Sequence, residues 1–121
     1  MKHLKKGRKL GRVKNQRTAL FKTLLGSLIM KEKIKTTEAK AKEMKGMIDK
    51  VINKAKKTKD ESRKISVLRD LRNEIPAMAL KKITGEFLDK FSKRGSGYTR
   101  IVKLAPRSGD GAKIAIIEFV D

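Results

Sequence analysis

Apolar residues recur along this chain first at helical and then at alternating spacing, and the change of period divides it into helices followed by strands. Leu20, Phe21, Leu24, Leu25, Leu28 and Ile29 follow one another at intervals of one, three and four. That spacing predicts an amphipathic helix with Asn15 as N-cap and with Arg17, Lys22 and Thr23 on the opposite face. Residues 31–37 alternate around Ile34 and end in two β-branched threonines, which predicts a short strand, after which Thr36 or Thr37 caps the next helix. Over residues 38–57 a second stripe of Ala41, Met44, Met47, Ile48, Val51, Ile52 and Ala55 backs a face made mostly of lysine. Such a face is either simply solvated or a binding surface.

Residues 58–61 read as a turn with Asp60 as the cap of a short third helix, marked by Ile65, Leu68 and Leu71 and ending near Asn73. Pro76 fits the first turn of a fourth helix, where its missing N–H costs nothing. Leu80, Ile83, Phe87, Leu88 and Phe91 carry that stripe on, and Gly85 weakens it or splits it in two. The final third changes character. Residues 94–97 are a glycine-serine loop, residues 98–104 are β-rich, residues 106–111 (PRSGDG) are a dense turn signal, and residues 114–120 (IAIIEFV) form the strongest strand in the chain. The last two strands predict an antiparallel hairpin. The expected class is therefore α/β (α+β), a small mixed three-stranded sheet covered by about four helices. It forms one globular domain over residues 15–121, preceded by an extended basic N-terminal arm, residues 1–14. Strand order does not follow from these patterns.

Composition narrows the partner. The chain has 121 residues, 33 of them Lys or Arg against 13 Asp or Glu, for a net charge of +20. Residues 1–31 hold ten of the bases and no acid, so half of the net charge sits in the first quarter. Charge at that density repels itself and calls for a polyanion; nucleic acid adds counterion release for each phosphate neutralised. The arm supplies Lys2, His3, Lys5, Lys6, Arg8, Lys9, Arg12 and Lys14 as candidate contacts, and Arg17 and Lys22 continue the basic surface onto the first helix. Cysteine is absent, which rules out disulfides and thiolate metal sites. The lone His3 has no second imidazole, so no metal site and no cofactor are expected. No apolar run is long enough to span a membrane.

Catalytic chemistry finds little support, because the acids sit among lysines at helical spacing, as Glu38 does with Lys42 and Asp49 with Lys45. The four phenylalanines, Phe21, Phe87, Phe91 and Phe119, lie on apolar stripes and read as core. Tyr98, between a glycine loop and Arg100, is either a group that reaches a base or backbone or a residue at the sheet edge. With few stacking groups, recognition of folded RNA by shape through phosphate and sugar contacts fits better than sequence reading of a single strand.

Several motifs are more specific: Met1-Lys2-His3; Gly7-Arg8-Lys9-Leu10-Gly11-Arg12; the ten residues from Ile34 through Lys35, Thr36 and Thr37 to Glu43; Gly97-Tyr98-Thr99-Arg100-Ile101; and Arg107-Ser108-Gly109-Asp110 with Ile117-Glu118. In this order, and over almost the whole chain, they resemble the bacterial large-subunit ribosomal protein seventeen family. The resemblance implies a non-enzymatic structural component of the large subunit, cytoplasmic on the ribosome, with no small-molecule substrate. It further implies binding to 23S-type rRNA near the nascent-chain exit, beside neighbouring ribosomal proteins. It places the arm, Arg17, the Lys35-Thr36-Thr37 turn and the Tyr98-Thr99-Arg100 segment against rRNA, and Arg94 and Arg107 join them as candidate contacts. Two other classes compete: an architectural DNA-binding protein, which should show a dimer surface and a groove-entering helix or ribbon, and a small RNA-modifying enzyme, which should show convergent acid and base groups.

Overall fold

A computed structural model of the chain describes residues 14–120. The first apolar stripe is the buried face of α1 (Lys14–Lys31), which seats Phe21, Leu25, Leu28 and Ile29 in the core. Asn15 lies inside this helix, so it is not the N-cap expected of it. A left-handed residue ends α1: Glu32 has φ 66°, and its N–H still donates to the Leu28 carbonyl. The side chain of Glu32 accepts hydrogen bonds from Lys82 at 3.0 Å and Lys90 at 3.3 Å, and these, with Lys82 foremost, hold its carboxyl below the usual range. The helix-to-strand corner is thus tied to residues fifty and more positions away.

β1 (Lys33–Thr37) runs directly into α2 (Glu38–Lys56), with Thr37 as N-cap and its hydroxyl accepting from the Lys40 N–H. All of the predicted stripe of α2 is buried except Met47, which is half-buried. A 3-10 turn (Lys57–Lys59) leads to Asp60, whose carboxylate accepts from the Ser62 N–H and caps α3 (Glu61–Glu74). The stripe read there is only partly a core face: Leu71 is buried, but Ile65 is 74% exposed. Pro76 sits at the N-cap of α4 (Ala77–Ile83), one place before the helix. Gly85 does split the fourth stripe, and a 3-10 segment (Glu86–Phe91) carries its second half.

β2 (Thr99–Lys103) and β3 (Ile114–Phe119) form the expected hairpin, and the sheet order is β1-β3-β2. Both pairings are antiparallel, where a mixed sheet was expected. The most apolar strand takes the centre, since only there are both of its edges paired. One sheet face, with Ile117, Ala115, Ile34 and Ile101, joins the helical core. Beneath it Phe91 contacts Phe87, Tyr98 and Phe119 at centroid distances of 5.3–5.5 Å; of the phenylalanines read as core, Phe21 and Phe91 are buried, while Phe87 and Phe119 pack against it half-buried. The other face, with Lys33, Lys35, Arg100 and Val102, meets solvent.

Helix α1 approaches the α3–α4 junction through Gly26. A Cβ built there would lie 2.7 Å from both Cγ and Cδ of Pro76. Gly26→Ala is therefore expected to destabilise the protein: the gain in helix propensity is at most about 1 kcal/mol, whereas overfilling against a rigid ring costs about 1–3. A thermal melt measures the balance, and a rise in Tm would mean the two segments separate freely.

Candidate nucleic-acid interface

Three cations and two hydroxyls from distant parts of the chain meet at one end of the sheet. Lys35, Thr36 and Thr37 at the close of β1, Lys40 in the first turn of α2, and Arg107 in the β2–β3 loop line a groove of about 640 Å³, floored by Leu104, Pro106 and Ile114. The register of β1 on β3 places Thr37 opposite Ile114 and so brings the threonine turn beside the hairpin loop. That loop is held by its own backbone. The Arg107 N–H donates to the Ala112 carbonyl at 2.8 Å, the Gly111 N–H donates to the Arg107 carbonyl at 2.9 Å, and Gly111 takes a φ of 69° that glycine tolerates. Asp110 receives the Ala112 N–H at 3.0 Å and lies 3.4 Å from the Arg107 guanidinium. Close by, Glu38 pairs with Lys42 at 2.9 Å and with Lys103 at 3.6 Å; these ammonium groups, Lys42 chiefly, lower its carboxyl from the usual range. Ammonium, guanidinium and hydroxyl groups around an open groove, at the partly positive N-terminus of a helix, suit phosphate and sugar oxygens.

A second basic cluster lies away from the sheet. Arg17 and Lys22 on α1 and Lys50 on α2 rim a shallow apolar groove of about 260 Å³ over Phe21, Leu25, Met47 and Val51. Lys14 is exposed at the start of α1, while Lys2, His3, Lys5, Lys6, Arg8, Lys9 and Arg12 lie outside the described residues. Arg94 is exposed in the loop after the second 3-10 segment, and Arg100 is exposed on β2, paired with Glu118 at 2.9 Å.

Tyr98 does not belong with them. It has no exposed surface, and its ring contacts Phe91 at 5.3 Å. Its hydroxyl faces the side-chain amide oxygen of Asn53 at 2.5 Å and the backbone carbonyl of Arg94 at 3.0 Å, and it accepts from the Lys56 ammonium at 2.8 Å. Apolar burial of the ring combined with satisfaction of its one polar atom removes it from any base-stacking role. Tyr98 is instead a tether of the 94–97 loop to α2. Asp49 completes the tether by accepting the N–H groups of Gly97 and Tyr98, both at 3.3 Å, rather than pairing with Lys45 as its spacing suggested. The residues missed by spacing alone are Lys40, Asp49 and Asn53. For Asp49 a signal existed, because it is the only acid between Glu43 and Asp60. Tyr98→Phe is expected to cost about 1–2 kcal/mol through loss of these bonds. Hydrogen exchange would register it as faster exchange at Gly97, with the α2 core amides little changed.

Among the described residues there is no cluster of acids or histidine suited to a metal ion, and no helix long and apolar enough to cross a membrane. A family model described as ribosomal protein L17 matches residues 20–120. The large ribosomal subunit protein bL17 of Staphylococcus haemolyticus (strain JCSC1435) is 45% identical to this chain over 121 residues, covering 94% of the chain and 98% of that protein. The protein of the same name from Staphylococcus carnosus (strain TM300) is 44% identical over 119 residues, covering 93% and 98% respectively.

Proposed function

We propose a function from one premise: the chain belongs to the ribosomal protein L17 family. It is a structural constituent of the large ribosomal subunit, and its work is binding and shaping rather than catalysis. It binds 23S-type rRNA through two parts, the basic arm over residues 1–14 and the basic surface of the globular body. It sits on the cytoplasmic ribosome near the nascent-chain exit, beside other large-subunit proteins. The single observation that carries the RNA reading is the convergence of Lys35, Thr36, Thr37, Lys40 and Arg107 on one groove, from segments about seventy residues apart in sequence. Burial of an apolar core does not need those five polar groups together; a phosphate-rich ligand does. The net charge of +20 supports the same reading, since an rRNA lattice supplies the counter-charge.

The test is sedimentation of a tagged chain from cells. Recovery in the large-subunit fraction, persisting at salt that strips loosely held basic proteins, is the expected result. Recovery only in the free fraction, or with chromosomal DNA, would overturn the proposal and favour an architectural DNA-binding protein.

A further inference from the structure

The exposed face of the sheet carries a charge pattern that ordinary phosphate binding does not explain. Two rows cross it: Lys33 on β1, Glu118 on β3 and Arg100 on β2, then Lys35, Ile116 and Val102. Positive groups thus occupy both outer strands, while the central strand offers a carboxylate and an aliphatic side chain. Val102 is 42% exposed beside them, and Glu118 is half-buried, its side chain 21% exposed and its carboxylate 2.9 Å from the Arg100 guanidinium. None of these side chains is aromatic, so unpaired bases have nothing to stack on.

We propose that this face docks across the minor groove of an A-form RNA duplex, an inference that rests on the RNA-binding reading above and names the form of RNA taken. Three arguments favour it. The outer strands lie about 9.5 Å apart, two strand spacings, which lets their bases address the two phosphate backbones that border a wide, shallow groove. Aliphatic groups on the middle and second strands then lie against ribose rather than against charge. Glu118 decides between ligands. A carboxylate only accepts hydrogen bonds, so it repels phosphate but is satisfied by 2′-hydroxyls, and these line the minor groove of RNA and are missing from DNA. An acidic protein partner would suit the lysines, yet would be repelled at the centre of the face.

The experiment titrates the full-length protein with a short RNA duplex, the DNA duplex of the same sequence, and the single RNA strand, at near-physiological salt. Glu118→Gln raises the net positive charge, so bulk electrostatics predicts tighter binding to every nucleic acid. The expected result is the opposite for one ligand: about three- to tenfold weaker binding to the RNA duplex, through loss of a charge-assisted acceptor, with DNA binding unchanged or tighter. Tighter binding to RNA and DNA alike would overturn the proposal, and so would a wild-type preference for the single strand. A second pair of variants compares equal charge changes. Val102→Asp should weaken RNA-duplex binding about tenfold more than Ile65→Asp, a substitution at an exposed position on α3. Equal losses would overturn the surface assignment. A chain that fails to co-sediment with subunits but shows both effects keeps this surface and loses the ribosomal assignment; one that co-sediments and shows neither loses the surface alone.

Discussion

Ile117→Asp leaves no stably folded protein, whereas Ile116→Asp, one residue earlier, leaves one that melts at a lower temperature. Ile117 has no exposed surface and lies between Ile34 and Ile101 on the central strand. Truncating such a side chain costs about 2–5 kcal/mol, and a carboxylate without a partner adds several more. Domains of this size are stable by only about 5–15 kcal/mol, so the sum removes most or all of the margin. Ile116 points to the open face, where a carboxylate keeps contact with water and can approach Lys35 across the strand pair. Circular dichroism melts of the two variants check the pair. The reverse result, with Ile116→Asp unfolded and Ile117→Asp merely less stable, would place the register of β3 one residue out, since a single-residue slip exchanges the two faces.

Removing residues 1–13 produces the largest expected change in binding with almost no change in stability. The segment carries six Lys or Arg residues, and each phosphate it neutralises contributes about 0.7–0.9 to the slope of log affinity against log salt. A loss of about four to five units of slope on large-subunit rRNA is expected if all six are engaged. The segment's sequence offers no apolar stripe, and among the described residues the buried core begins at Phe21, so Tm should hold. Equal slopes for the full and shortened chains would show that the arm makes no phosphate contact, and would leave the body as the sole RNA-binding part.

Much of the fold was legible in the chain. The stripes of α1 and α2, the cap at Asp60, the split at Gly85 and the β2–β3 hairpin all depend on residues within one or two turns of each other, so local spacing carries them. The third helix shows the limit of that reasoning. Ile65, Leu68 and Leu71 have helical spacing, but how many of them are covered depends on how far α2 and α4 extend along that face, and only Leu71 is fully buried. Of the candidate site, the threonine turn and Arg107 were named from motifs, and their meeting in one groove with Lys40 followed from strand register.

Composition and short-range period suffice for the element types, the apolar face of each long helix, the concentration of positive charge in the first quarter and the motifs that identify the family, because each of these is written in neighbouring residues. Tertiary structure alone decided which groups meet. It turned Tyr98 from a candidate base contact into a buried tether, set Asp49 against the N–H groups of Gly97 and Tyr98, required Gly26 to pass Pro76 without a side chain, and placed β3 between β1 and β2. A period records that a face is apolar, but not which surface will cover it. The partner of a side chain fifty residues away is chosen by the joint burial of every face, and no local pattern encodes that choice.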